Sequence, residues 1–542
     1  MKTVEPNVRT SILTCLVIAI VTVATWLPRM SGSIDLRWDG GAYYIVGTSL
    51  ANNKGYRLLS EPGDIRSSVH APFLPALVAA HQLILKTSDP AVVGPALRVS
   101  ILLVSVGYAV AIFLFLSAYV CRPLAFTAAL IGVLQPQFAY FSDALYAEMF
   151  FGLFTLLFFI LQSKSKKIVY FLLSGLFAVL AYEARTAGIA LLVAWVADNL
   201  LRRDFKRTFI TLAIAAVPVM SWIGWIAKVE SSPEYQKPAY AYQTAPYLYF
   251  NVSYAKNIFT LKDPSNPQLG PFTTQALATR VLDNLLVLPV RIGEAVSTWA
   301  APAYLSLPLA LVVLTGLVVQ ARRRQYLILS YVILSLTAFC LTPFNKQFVR
   351  YLLPLYPFFA LAMFQFLAVV VRKTQSLFSA ISPFALGIPV WVVVGAIVLQ
   401  EVRDLDRLYD HHDAMHDTRG ELGAPRLFYY APVGTEFDEA LDWLRPRGKN
   451  SDVIAATDPH WAYLRTRMKA VLPPFELDGK KAQQLIDTVP VKYLIVETNQ
   501  QTLGLGAYYR FTSALLRDNS SAWNLIWRSS NYNVEVYERS GI

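Results

Sequence analysis

The chain has 542 residues, of which 55% are hydrophobic, 13% aromatic and only 15% charged, with a net charge of +12. This much apolar surface excludes an ordinary soluble protein and requires a polytopic membrane protein. The basic residues fall in short clusters between apolar runs, so they read as topology determinants and not as a nucleic-acid-binding surface.

In chain order, Met1 to Arg9 followed by an apolar run has the charge and length of a signal peptide. No small-residue cleavage site follows, so a retained first span at 11–28 is expected. The polar segment 29–91 comes next and contains RWDGGAYYIVGTSLANNKGY and then HAPFLP. Asp39 follows Trp38, precedes Gly40-Gly41 and Tyr43-Tyr44, and opens a helix predicted through Leu50. The glycines admit close approach of a backbone or a bulky ligand, and a carboxylate at a helix N-terminus stays ionised through the helix dipole. Such a group can act as a general base or hold a metal, and it can equally be a plain N-cap on an amphipathic helix. Asp35 reads as an ordinary loop charge. His70 can assist proton transfer, contact phosphate or simply orient its proline-rich turn. The run Phe73 to Leu85 suits an interfacial or re-entrant helix.

A spanning helix needs roughly 20 apolar residues. Spans are expected near 11–28, 92–118, 123–141, 145–162, 168–184, 186–201, 208–228, 297–319, 326–342, 351–371 and 378–400. With the N-terminus inside, Arg122, Lys164/Lys166/Lys167, the Arg202–Arg207 cluster, Arg322–Arg324 and Arg372/Lys373 all face the cytoplasm. The opposite face then receives the Asp39 segment, Asp143, Glu183–Arg185, the 229–296 loop, Thr342–Arg350 and everything after Glu401.

Several ionisable groups sit on that outer side. Asp143 lies at the outer end of a span in FSDALYAEMFF, and Glu148 follows inside an apolar run. An ionisable residue within a span is a functional candidate, although a solvated helix cap explains Asp143 and an arginine partner explains Glu148 equally simply. Arg185 in EARTAG, and Arg350 with Tyr351 and Lys346 in NKQFVRYLLPLYP, have side chains suited to phosphate oxygens. Snorkelling to headgroups is the alternative for each arginine alone. The 229–296 loop, rich in Tyr, Pro and Asn, suits a lid or interfacial loop and contains the sequon Asn251-Val-Ser253. Beyond Glu401 short alternating elements take over: strands at Asp452–Ala456, Tyr493–Glu497, Trp523–Arg528 and Val534–Glu538, with helices at Phe437–Leu444 and Lys480–Thr488. The cluster His411 to His416 lacks a zincin glutamate and reads as a polar linker. Cys15, Cys121 and Cys340 imply no disulfide framework, and no phosphate-binding glycine loop, CxxC pair or GxSxG is present.

Taken together, RWDGGAYY with Gly55-Tyr56, HAPFLP, Asp143, EARTAG and RYLLPLYP resemble the GT-C class of integral-membrane glycosyltransferases, in particular bacterial relatives of the protein O-mannosyltransferases and of the aminoarabinose transferases of lipid A. The resemblance covers roughly residues 10–400. It implies a GT-C-like helical membrane protein with about eleven or more transmembrane helices. Its parts would be a transferase domain over 1–400, with outer loops 29–91 and 229–296, and a soluble α/β domain over 401–542 on the non-cytoplasmic side. The implied activity is inverting transfer of a sugar from a polyprenyl-phosphate donor to a lipid, glycan or protein acceptor, in a bacterial inner membrane. Asp39 and Asp143 would be catalytic. His70, Arg185, Lys346, Arg350 and Tyr351 would bind substrate, with Tyr43 and Glu148 in support. Gly40 stands where protein O-mannosyltransferases carry a second acid, so a divalent metal ion, held by Asp39 if by any residue, stays open as a cofactor. A transporter or flippase of a lipid-linked or anionic substrate is the rival reading. It predicts mid-span polar residues and inverted repeats, whereas this chain gathers its polar residues at one face. A non-catalytic scaffold is a further alternative.

Overall fold

The apolar runs fold as helices in a computed structural model that describes residues 8–27, 34–297, 302–377, 383–416, 432–498 and 506–541. Among these, five helices are long and apolar enough to cross a membrane: Arg9–Trp26, Pro90–Ser117, Phe205–Glu230, Ala303–Arg322 and Asn345–Leu377. A sixth span arises if Arg122–Leu134 and Gln137–Asp143, bent by 62°, count as one. The remaining expected spans coincide with shorter apolar helices at Glu148–Gln162, Ile168–Ala184, Thr186–Leu201 and Tyr326–Leu341, and with the helix Pro383–His416. Phe73–Leu85, expected as an interfacial or re-entrant helix and not as a span, is a 13-residue helix, about 20 Å long and so too short to span. The side chains of His411 to His416 lie outside the described ones.

The chain divides into two compact units. The first comprises Met1–Ser31, Arg98–Met220 and Thr279–Asp417. Its interior is aromatic: Phe358 lies 5.0 Å from the rings of both Phe115 and Phe159 and 5.1 Å from Tyr331. Small residues let its helices close up, as lipid-embedded bundles require. At Gly316 a Cβ would stand 2.1 Å from the carbonyl oxygen of Ala362, so the Ala303–Arg322 helix meets the Tyr356–Leu377 helix backbone to backbone.

The second unit comprises Gly32–Leu97, Ser221–Ala278 and Thr418–Ile542. It holds a five-stranded mixed sheet of β1 (Val453–Ala455), β2 (Lys469–Val471), β3 (Val491–Glu497), β4 (Trp523–Arg528) and β5 (Val534–Arg539), in the order β2-β1-β3-β5-β4. β1 runs parallel to β2 and β3, whereas β5 is antiparallel to β3 and β4. Four of the strands stand where the sequence places them. β2 and the helices Pro459–Thr466 and Gly506–Asp518 are additions.

The sequence assigns this α/β segment a core of its own, but the core is shared. Leu58, Ile65, Val229, Tyr240 and Leu248 form one buried cluster with Val453, Val471, Leu494 and Trp523. The loop after Val229 is stitched to it: the Tyr242 hydroxyl donates to the Leu472 carbonyl at 3.2 Å, and Tyr247 stacks on Phe475 at 4.7 Å. Asn251 of the sequon is buried and donates to the Gln243 carbonyl.

Candidate active site

In the second unit Asp39 is the first residue of the helix Asp39–Ala51, so the N-cap position belongs to Trp38. Trp38 offers no side-chain cap and has φ 55° and ψ −126°, a conformation that costs a non-glycine residue about 1–3 kcal/mol. The structure holds it there through its amide, which donates to Asp458 Oδ2 at 2.8 Å. The other carboxylate oxygen of Asp458 accepts from Trp461 N and caps the helix Pro459–Thr466. Burial pushes the Asp458 carboxyl up to about 6, with the two amides pulling it back. The Asp39 helix is buried along most of its length instead of amphipathic. Asp35 is also buried, and it accepts from Arg37 N and Nε at 3.0 and 3.2 Å.

His70 packs its ring 4.6 Å from that of Tyr43 and 6.1 Å from Phe250, so two of the expected residues meet. Phe250 in turn stands 4.3 Å from the ring of His460. His460 is fully buried, with Nδ1 2.9 Å from Ser60 Oγ, and burial lowers it to about 3, so its ring is neutral at pH 7. His70 adds to that depression and Asp39 opposes it. In sequence, DPHWAYLRTR, which begins at Asp458 and contains His460, reads equally as a helix cap plus packing or as a sugar platform, and neither reading points to Trp38.

The first unit gathers a second group. Glu148, at the start of the helix Glu148–Gln162, is fully buried, and its Oε1 accepts from Arg185 Nη1 at 2.6 Å and also from Arg350 Nε. Each arginine is about one-fifth exposed. Arg185 lies over the ring of Tyr351 at 4.7 Å and Arg350 over Tyr146 at 4.5 Å, cation–π contacts that fix both planes. Tyr351 is tied by its hydroxyl to Gln347 Oε1 at 2.8 Å. One carboxylate oxygen thus serves two guanidinium groups. Lys346 is exposed and makes no ion pair among the described residues. Asp143 is completely buried and paired with Arg98, which lies 5.6 Å over Trp26. Arg98 was open to sequence reasoning: an arginine inside ALRVSILL needs a buried partner.

Among the described residues, no three His, Cys, Asp or Glu side chains form a group that could hold a metal ion.

No protein-family model matches the chain, and no curated protein does. Solved structures do. The archaeal oligosaccharyltransferase AglB from Archaeoglobus fulgidus, in complex with an inhibitory peptide and a dolichol-phosphate, is 13% identical with a TM-score of 0.54 over 98% of this chain and 74% of that one. ArnT from Cupriavidus metallidurans, bound to undecaprenyl phosphate, is 12% identical with a TM-score of 0.53 over 98% of this chain and 97% of its own. At such identities the likeness is one of fold, and it covers nearly the whole chain, as the GT-C resemblance implies.

Proposed function

We propose that the chain is an inverting membrane glycosyltransferase that moves a sugar from a polyprenyl-phosphate donor to a hydroxyl-bearing lipid, glycan or protein acceptor on the non-cytoplasmic face of a bacterial inner membrane. The observation that carries this reading is the Glu148 cluster. Two planar cations share one buried carboxylate and are stacked on tyrosines. That is the composition expected of a clamp for a lipid phosphate that is bound as an ester and released as a dianion. The polyprenyl phosphates bound to AglB and ArnT support the same ligand class here.

In this reading Asp39 takes the proton of the acceptor hydroxyl while its oxygen attacks the anomeric carbon. The bond from that carbon to the phosphate oxygen breaks on the opposite side, which inverts the centre. The Arg185 and Arg350 pair of the first unit is, by itself, the group proposed to bind the lipid phosphate. His70 and Tyr43 contact the acceptor, and Lys346 adds long-range attraction for the donor. Asp143, locked to Arg98, holds the bent helix pair that precedes Glu148.

The test is turnover of undecaprenyl-phosphate-linked pentoses and hexoses by the full chain in nanodiscs. Asp39→Asn is expected to lower kcat by about 10²–10⁴-fold with the melting temperature retained. Undiminished turnover in that variant would remove Asp39 from the chemistry.

A further inference from the structure

Given the sugar-transfer role proposed for Asp39, we infer that Asp458 and His460, which belong to the C-terminal segment, are positioning residues that set the Asp39 backbone from both sides.

Asp458 acts on the residue before Asp39. Its carboxylate is the acceptor for the Trp38 amide at 2.8 Å, and Trp38 has the positive φ of 55° that turns the incoming chain into the helix. A tryptophan stays in that region only while its surroundings over-determine it. The same carboxylate also accepts from Trp461 N at 3.1 Å, so its own position is tied to the helix Pro459–Thr466.

His460 acts on the residue two beyond Asp39. A Cβ on Gly41 would stand 2.8 Å from the Cβ of His460 and 2.7 Å from the Leu36 carbonyl oxygen, so the first turn of the Asp39 helix is pressed against the histidine with room for a hydrogen only. His460 itself cannot yield easily. Its ring is held by Ser60 Oγ and by the tilted ring of Phe250, and the Ser60 carbonyl accepts from Ala470 N of β2 at 2.9 Å. The burial that keeps this ring neutral, with Asp39 close enough to bear on it, agrees with the packing.

A base displaced by about 1 Å loses up to roughly 100-fold in rate. A residue that only stabilises the fold would change melting temperature and kcat together, whereas a positioning residue changes kcat at constant stability. Asp458→Ser separates the two. Serine keeps an oxygen for Trp461 N and is as good an N-cap as aspartate, but its single short side chain cannot also hold the Trp38 amide. We expect a melting temperature near wild type, kcat down ten- to a hundredfold and donor KM changed less than threefold. His460→Ala is expected to lower kcat in the same sense. In the same Asp458→Ser protein, amide exchange of a peptide containing Trp38 should quicken at least tenfold while β1 stays protected. Wild-type kcat, or unchanged exchange at Trp38, overturns the inference. Full turnover by Asp39→Asn instead sinks the role of Asp39 as base, and the exchange measurement still decides whether Asp458 holds the Trp38 backbone.

Discussion

At the scale of single residues, charge counting separates what a side chain carries from what it presents. Glu148 accepts from both guanidinium groups beside it, so the phosphate role proposed for them rests on the geometry of the forks. Arg350→Lys tests this, since lysine keeps the charge but loses the planar fork and the stacking on Tyr146. We expect undecaprenyl phosphate to bind about tenfold more weakly, a loss of about 1.4 kcal/mol, by native mass spectrometry. Unchanged affinity would mean that charge alone recruits the lipid. Glu61 makes a pH-dependent prediction. It is buried, accepts from the Tyr240 hydroxyl at 2.7 Å, and is pushed by burial from 4.5 to about 7. A carboxyl raised in the folded state adds stability that is complete below its unfolded value near 4.5 and disappears as pH rises through 7. Glu61→Gln should therefore melt like wild type near pH 4 and gain on the order of 3 kcal/mol at pH 8. A gain at the acid end instead would reverse the sign.

At the scale of elements, the helix that begins at Asp39 depends on a second glycine. A Cβ on Gly47 would lie 2.6 Å from the Cβ of Val78 and 2.8 Å from the Pro75 carbonyl, where the helices Asp39–Ala51 and Phe73–Leu85 cross. The crossing is latched by Gln82 Nε2 to Thr48 Oγ1 at 2.8 Å and by the Tyr44 hydroxyl to the Ser88 carbonyl at 2.9 Å. Gly47→Val should cost about 1–3 kcal/mol through overpacking, read as a lower melting temperature. A neutral substitution would show that the crossing is loose. Legibility follows element length. The long apolar runs, the helix at Asp39 and four strands declare themselves by periodicity, and of the Gly40-Gly41 pair Gly41 meets the close approach expected of it. The three-residue β2 is too short to show a pattern. The positive φ of Trp38 is invisible because nothing in RWDGG distinguishes it from a capped turn.

At the scale of the whole molecule, each unit is assembled from three stretches of chain separated by the other unit's sequence. Composition marks where the apolar runs end near Glu401, within the helix Pro383–His416, whereas the first unit extends to Asp417. The partners of the residues beyond Glu401 are not legible, since hydrogen bonds such as Lys469 to the Leu59 carbonyl, or Ala470 N to the Ser60 carbonyl, join positions some four hundred apart, where no local pattern records them. The candidate residues show the same division. Asp39, the arginines and an arginine partner for Glu148 could be proposed from sequence, whereas the bonds that Asp458 and His460 make depend on tertiary pairing.

The bond between the Trp38 amide and Asp458 joins residues 420 positions apart. At roughly 5–20 residues per second, the ribosome makes Asp458 roughly 20–80 s after Trp38. Throughout that interval the nascent chain carries the Asp39 carboxylate without the acceptor that fixes the backbone before it. A chain released early would lack the carboxylate that accepts from the Trp38 amide, and with it this anchor of the backbone before Asp39.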